Sequence, residues 1–287
     1  MKFQSKSLFG AAFAITAAVL TASPASAVLV VYEPFADGNS SLNGNAAGTG
    51  LSGNWTAASG FTVGAGSLSY GSLPTSGNQV AYSGGNANSS VALSSALSNA
   101  GLLNDGATVW FSMIVNTPDA GGSNADTGFA IGTDPIIGTN NIPMTAGGEG
   151  IGWAIKNDQL RAATWKNAKN QAIGTGVATD TTIFIVGEII WGANGAANDT
   201  INLYLPNTSL IKGAIKSTQV AVLNQANFDL ITTGLKTNTG YGFDEIRFGS
   251  SFEDVIGLDT SAVPEPATAS LALLGLGGLM MRRRRMA

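Results

Sequence analysis

Between residues 28 and 263 the apolar positions come in short runs, many alternating with polar ones, separated by clusters of Gly, Asn, Ser, Thr and Pro. Period-two alternation bounded by turn-forming residues predicts strands, and helical periodicity is scarce. Twelve strands are predicted, at 28–32, 60–63, 67–70, 80–82, 108–115, 128–131, 150–155, 160–165, 183–191, 200–205, 228–232 and 243–248. That many short strands predict an all-β protein of two packed sheets. The run 108–115 has Ser112 as its lone polar residue, which predicts a central strand covered on both faces. In 183–191, Gly187 beside Glu188 predicts a bulge that carries a charge to the rim. Asn157-Asp158 predicts a tight hairpin turn between 151–156 and 160–165. One helical turn is expected within 94–103, stopped by Gly101 and Asn104-Asp105-Gly106. The stretches 37–54, 83–90 and 118–126 read as loops, and no internal repeat marks a second domain.

The two ends follow a different pattern. Residues 1–27 carry Lys2 and Lys6, then an apolar run over 8–20, then Ala25-Ser26-Ala27, the layout of a secretory signal peptide cleaved between Ala27 and Val28. At the other end stand Val263-Pro264-Glu265-Pro266, an apolar stretch over 267–281, and Arg282, Arg283, Arg284 and Arg285. Four arginines resist translocation and would keep the extreme C-terminus cytoplasmic while the signal peptide sends the body out by the Sec route. At about 1.5 Å per residue the apolar stretch spans roughly 22 Å as a single helix, short of the roughly 30 Å hydrocarbon core. Gly275, Gly277 and Gly278 loosen it further. Such a segment suits a transient pause in the membrane better than a permanent anchor, although hydropathy alone does not separate the two. The chain thus divides into a signal peptide (1–27), a β-sandwich domain (28–258), a linker (259–263) and a tail (264–285).

The order of motif, apolar stretch and arginine cluster at the C-terminus resembles the bacterial PEP-CTERM sorting signal. That resemblance implies an exosortase-like processing enzyme that reads Pro264, Glu265 and Pro266, with Arg282 to Arg285 stopping translocation. It also implies delivery to the envelope, surface or extracellular matrix of a Gram-negative-type bacterium. A second resemblance rests on Val31-Tyr32-Glu33-Pro34-Phe35, on Gly48-Thr49-Gly50-Leu51-Ser52-Gly53-Asn54-Trp55 and on Gly242-Phe243-Asp244-Glu245-Ile246-Arg247-Phe248-Gly249. These look like exported proteins with a concanavalin A-like or laminin G-like jelly-roll body, in which 243–248 would be a late strand paired with the N-terminal one. The expected fold is therefore an all-β jelly-roll sandwich between a signal peptide and a single C-terminal hydrophobic helix.

Composition narrows the chemistry. Among 287 residues there is no Cys and no His, which removes disulfides, zinc fingers, thiol or imidazole nucleophiles and any triad with a histidine base. Residues 28–263 hold 8 basic against 17 acidic side chains, a net charge near minus nine. With no basic patch interleaved with aromatics, nucleic-acid binding is excluded as a main function.

Jelly-roll glucanases place two carboxylates two or four residues apart on one strand, so that both flank the glycosidic bond. Here Asp244 and Glu245 are adjacent and predicted on opposite faces, Glu188 has no acidic neighbour on its strand, and Glu253 and Asp254 are again adjacent. No catalytic residues are assigned. Loop carboxylates such as Asp119 with Asp126, or Asp244 with Asp254, would be ligands for calcium, the one cofactor considered, although isolated loop aspartates more often form turns. Trp110 and Trp191 sit in apolar strands and are expected inside. Trp55 and Trp165 sit beside polar runs and are the candidates for stacking on sugar rings. Asn39, Asn54, Asn88, Asn198 and Asn207 each begin an N-x-Ser/Thr triplet, which carries little weight in a chain this rich in those residues. The function expected is that of an exported, non-enzymatic structural or adhesive protein. A lectin-like module that binds extracellular polysaccharide is the alternative, and a glycoside hydrolase the third reading.

Overall fold

A computed structural model of the chain describes residues 29–38, 40–117, 126–134, 148–166, 169–236 and 240–257, without the side chain of Lys236. The expected signal peptide (1–27), its expected cleavage site, the expected linker (259–263) and the tail, including the expected helix over 267–281, lie outside the described residues. Among the described residues no helix is long and apolar enough to cross a membrane.

Sixteen strands are formed by the described residues: β1 (Leu29–Glu33), β2 (Leu51–Ala57), β3 (Phe61–Ala65), β4 (Asn78–Tyr82), β5 (Ala87–Leu93), β6 (Thr108–Asn116), β7 (Asp126–Gly132), β8 (Glu149–Lys156), β9 (Gln159–Lys166), β10 (Lys169–Gln171), β11 (Thr175–Gly176), β12 (Thr182–Ile190), β13 (Asp199–Tyr204), β14 (Ser217–Ala221), β15 (Leu230–Lys236) and β16 (Tyr241–Gly249). Two short helices, α1 (Ala96–Asn99) and α2 (Phe252–Val255), complete the set with a 3-10 turn at Gln225–Asn227. One sheet runs β14-β13-β12-β6-β16-β4-β3, with β1 also on β16. The other runs β10-β9-β8-β7-β15-β5-β2, with β11 on β9. The body is an all-β jelly-roll sandwich. As expected from the N-terminal and late motifs, β1 pairs with β16.

The inner faces interdigitate through large rings. Phe111 of β6 meets Phe129 of β7 across the sheets at 5.4 Å and Phe248 of β16 at 5.9 Å. Burial of such rings is the main source of stability for a chain without disulfides. The first sheet is covered on its outer face too, because Leu73, Leu210, Val255 and Ile256 close over Trp110, Ile114, Phe184 and Tyr204. This second layer explains the almost unbroken apolar run of β6, whose Ser112 donates to the carbonyl of Val255 at 2.7 Å. Trp191 is in the main core, whereas Trp110 is buried in the outer layer, its ring under the ammonium of Lys212 at 4.8 Å. The Asn157-Asp158 hairpin is formed as expected, with φ of 51° and 56°, the paired positive values of a type I′ turn.

Several expectations are corrected. Residues 67–70 form no strand; Leu68 and Tyr70 lie across the outer face of the first sheet and join its apolar layer. The expected strand at 228–232 is displaced to β15 by the 3-10 turn before it. β2 and β5 begin inside the stretches 37–54 and 83–90, which read as loops, and run three residues beyond each. β5 was hidden by its hydroxyls, which the interior accommodates by pairing Ser89 with Thr233 at 3.0 Å. β12 pairs with β6 from Thr182 to Ile190 without a register shift, so there is no bulge at Gly187. Glycine is needed there for another reason: a Cβ would come within 2.1 Å of the Phe111 ring. The bulge is in β16 instead.

Candidate functional site

In β16, Asp244 faces Ile114 and Arg247 faces Ser112, so Glu245 and Ile246 together oppose one residue of β6. Glu245 takes a φ of 55°, and this extra residue resets the alternation of the strand. Phe243, Ile246 and Phe248 therefore all point into the core, while Asp244, Glu245 and Arg247 gather on the other side. The expectation that Asp244 and Glu245 point to opposite faces is wrong for this reason. Ser67 Oγ reaches both carboxylates, donating a short hydrogen bond to Asp244 and lying 3.4 Å from Glu245.

Every oxygen in this cluster is used. Asp244 accepts from Leu68 N and from Glu245 N, each at 2.7 Å. Glu245 accepts from Ser76 N at 2.6 Å, Tyr32 Oη at 3.2 Å and Arg247 Nη2 at 2.5 Å. Arg247 also donates to the carbonyl of Pro74, and its guanidinium lies over the Tyr32 ring at 5.2 Å. Burial pushes the Asp244 carboxyl up to about 7; the Glu245 charge adds to the rise, and the donors from Ser67 and Leu68 oppose it. Asp244 and Glu245 are both at 0% exposure. The arrangement clasps the segment 67–76 onto the sheet and leaves no carboxylate open to a substrate.

The three sequence segments that carry the jelly-roll resemblance meet at one corner. Glu33 accepts from Phe35 N at 2.8 Å, Gly48 N at 2.8 Å and Trp55 Nε1 at 2.9 Å. Rings of Phe35, Trp55 and Phe243 pack at 5.5 to 6.4 Å from one another. Burial raises the Glu33 pKa against the pull of its donors, Trp55 the largest. A groove of about 450 Å³ runs alongside, lined by Tyr32, Asp37, Ala46, Gly48 and Thr49 among others. Trp55 belongs to this anchor and is 1% exposed, so it offers no stacking platform. Trp165, also 1% exposed, packs with Ala130, Ala154 and Ala163 on the second sheet, and the same correction applies.

The remaining acidic candidates are held separately. Glu188 accepts from Tyr204 Oη at 2.8 Å and Asn202 Nδ2 at 3.1 Å. Register places it opposite Trp110, while Asp244 is opposite Ile114 on the far side of β6. Four residues along and two strands across give roughly 16 Å, beyond the roughly 9.5 Å upper limit for an inverting carboxylate pair. Asp254 caps α2, accepting from Ser250 N and Ser251 N at 2.7 and 2.8 Å. Asp126 pairs with Lys169. Thus neither Asp244 with Asp254 nor Asp126 forms an open calcium cage. Asp119 lies outside the described residues, and among those described no three carboxylates converge on a common point.

Residues 262–285 match the model of the PEP-CTERM protein-sorting motif. The tail is a PEP-CTERM sorting signal. It marks the chain as an exported protein that an exosortase sorts to the envelope or surface of a Gram-negative-type cell. No curated protein matches the chain. Solved structures similar to the body, all at low identity, include the following three. A protein of unknown function from Shewanella oneidensis MR-1 is 15% identical, with 69% of this chain and 77% of that one covered and a TM-score of 0.42. An endo-beta-1,4-glucuronan lyase from the fungus Trichoderma reesei is 10% identical over 79% and 98%, with a TM-score of 0.43. A carbohydrate esterase from the Shiga toxin-encoding bacteriophage phi24B is 11% identical over 79% and 100%, with a TM-score of 0.46.

Proposed function

We propose that this chain is a non-enzymatic structural or adhesive protein of the cell surface or extracellular matrix, put in place by its PEP-CTERM tail. The observation that supports this most is the use made of the acidic side chains. Asp244 and Glu245 hold the clasp, Glu33 holds the N-terminal corner, Glu188 binds Tyr204 and Asn202, and Asp254 caps a helix. General acid–base hydrolysis needs two carboxyl groups facing one sugar, and these five are committed elsewhere. Incubation of the full protein with a panel of polysaccharides is expected to leave their chain lengths unchanged. Depolymerisation that disappears in Glu188→Gln or Glu245→Gln would overturn the non-enzymatic reading.

The tail gives a second expected result. Replacement of Arg282, Arg283, Arg284 and Arg285 by glutamine removes the charges that resist translocation. The variant should show weaker membrane retention and less processing near Pro264 to Pro266, read by fractionation and by mass spectrometry of both termini. Normal processing and location in the variant would remove the stop-transfer role.

A further inference from the structure

Three ion pairs between described residues differ in what surrounds them. Lys166 reaches Glu149 at 3.0 Å from a side chain that is 42% exposed. Arg247 holds Glu245 inside the clasp, but a guanidinium keeps its proton and offers no lone pair for attack. Of the three, only Lys169 with Asp126 joins a primary amine to a carboxyl group with both side chains out of water, at 5% and 2% exposure.

The surroundings of this pair favour uncharged partners. Alternation along β7, β8, β9 and β10 puts Asp126 and Lys169 on the face of the second sheet that carries Ala130, Ala154, Ala163 and Trp165, each at 0% or 1% exposure. In so dry a setting two opposite charges lose far more hydration than a neutral amine and a neutral acid do. Burial lowers the Lys169 pKa; Asp126 opposes that fall, and the charges of Lys156 and Arg161 add to it. Passage of one proton from Nζ to the carboxylate leaves an amine and a carboxylic acid in direct contact.

That contact is the starting state of amide formation. The Nζ lone pair adds to Cγ of Asp126, forming the C–N bond and moving the carbonyl π pair onto oxygen. Lys156 and Arg161 carry positive charge that favours this negative oxygen, and Nε of Arg161 is a buried donor without a protein partner among the described residues. Collapse of the tetrahedral centre breaks the C–OH bond, and the hydroxyl departs with a proton from nitrogen as water. One amide forms, one water is lost, and nothing is oxidised or reduced. In bulk solution water would reverse the reaction. Well-oriented groups within one molecule, however, react as if present at about 10⁵–10⁸ M, and side chains this buried admit little water.

We propose that Lys169 and Asp126 become joined by an isopeptide bond, a covalent tie between the first residues of β10 and β7. The two lie 43 residues apart, so the bond closes a loop across the strand run β10-β9-β8-β7. Such a staple limits the unfolded chain as a disulfide does, in a protein that has no Cys to make one. It forms from the chain's own groups and stands apart from the question of whether the protein acts on polysaccharides.

The test is the intact mass of the denatured full protein, purified in detergent, compared with the mass calculated for its observed termini. A deficit of one water is expected, together with a proteolytic fragment in which the segment around Asp126 is joined to that around Lys169. Lys169→Arg, which keeps the positive charge but offers no amine to acylate, and Asp126→Ala should each restore the full mass. A parent at full mass overturns the proposal whatever the variants do. A deficit that persists in Lys169→Arg also overturns it, because the water is then lost elsewhere, as in cyclisation at an Asp-Gly step such as Asp105-Gly106. So does a deficit whose fragments never join the two segments.

Discussion

Arg247→Met is expected to cost about 3–5 kcal/mol of folding stability, the range for breaking a buried ion pair by removing one partner. Arg247 is 3% exposed, and its guanidinium serves Glu245, the carbonyl of Pro74 and the ring of Tyr32 together. Without it the Glu245 carboxylate stays sealed in the bulge beside Asp244, and the 67–76 segment loses one of its ties to the sheet. Urea unfolding read by tryptophan fluorescence measures the loss. The companion variant Glu245→Leu with Arg247→Met should recover a large share of it, because an apolar pair of similar volume often replaces a buried ion pair without penalty. A loss below about 1 kcal/mol in the single variant, the typical value of a surface pair, would show that the clasp contributes little.

The second expected result is a stability that falls as pH rises toward neutrality. The Asp244 carboxyl has its pKa raised from 3.8 to about 7. Between those values the folded protein holds a proton that the unfolded chain has released, so raising the pH favours unfolding. The contribution is complete above about pH 7, absent below about pH 4, and at most about 4 kcal/mol in size. Glu33 and Asp199, also raised by burial, act in the same direction, whereas Glu149 is lowered and acts against them. Thermal unfolding from pH 4.5 to 7.5 should show Tm declining in the parent. In Asp244→Asn, which keeps the shape and removes the titration, the decline should be much shallower. An equal slope in both proteins would assign the pH dependence to other groups.

Both expectations concern a feature that strand alternation misplaced. A bulge is defined by one extra residue relative to the partner strand, and the partner of β16 is β6, more than a hundred residues earlier. Nothing in Asp244-Glu245-Ile246 itself announces that count, so the local period put the two carboxylates on opposite faces. The glycine at 187 misled in the complementary way: it resembled a bulge because the ring of Phe111, which requires the absent Cβ, comes from another strand.

Local chemistry was enough for the features that need no distant partner. The order of motif, apolar stretch and arginines at the C-terminus, the period of β6, β8 and β12, and the Asn157-Asp158 turn were all legible, because a sorting motif, side-chain alternation and turn dihedrals are set within a few residues. The Phe35, Trp55 and Phe243 corner was half legible, since its three segments stood out but their meeting did not. Tertiary structure alone decided the burial of Trp55 and Trp165 and the clasp at Asp244, Glu245 and Arg247. Each of these depends on which strands become neighbours and in what register, and that is fixed by the packing of the whole sandwich, since a shift of one residue exchanges its two faces.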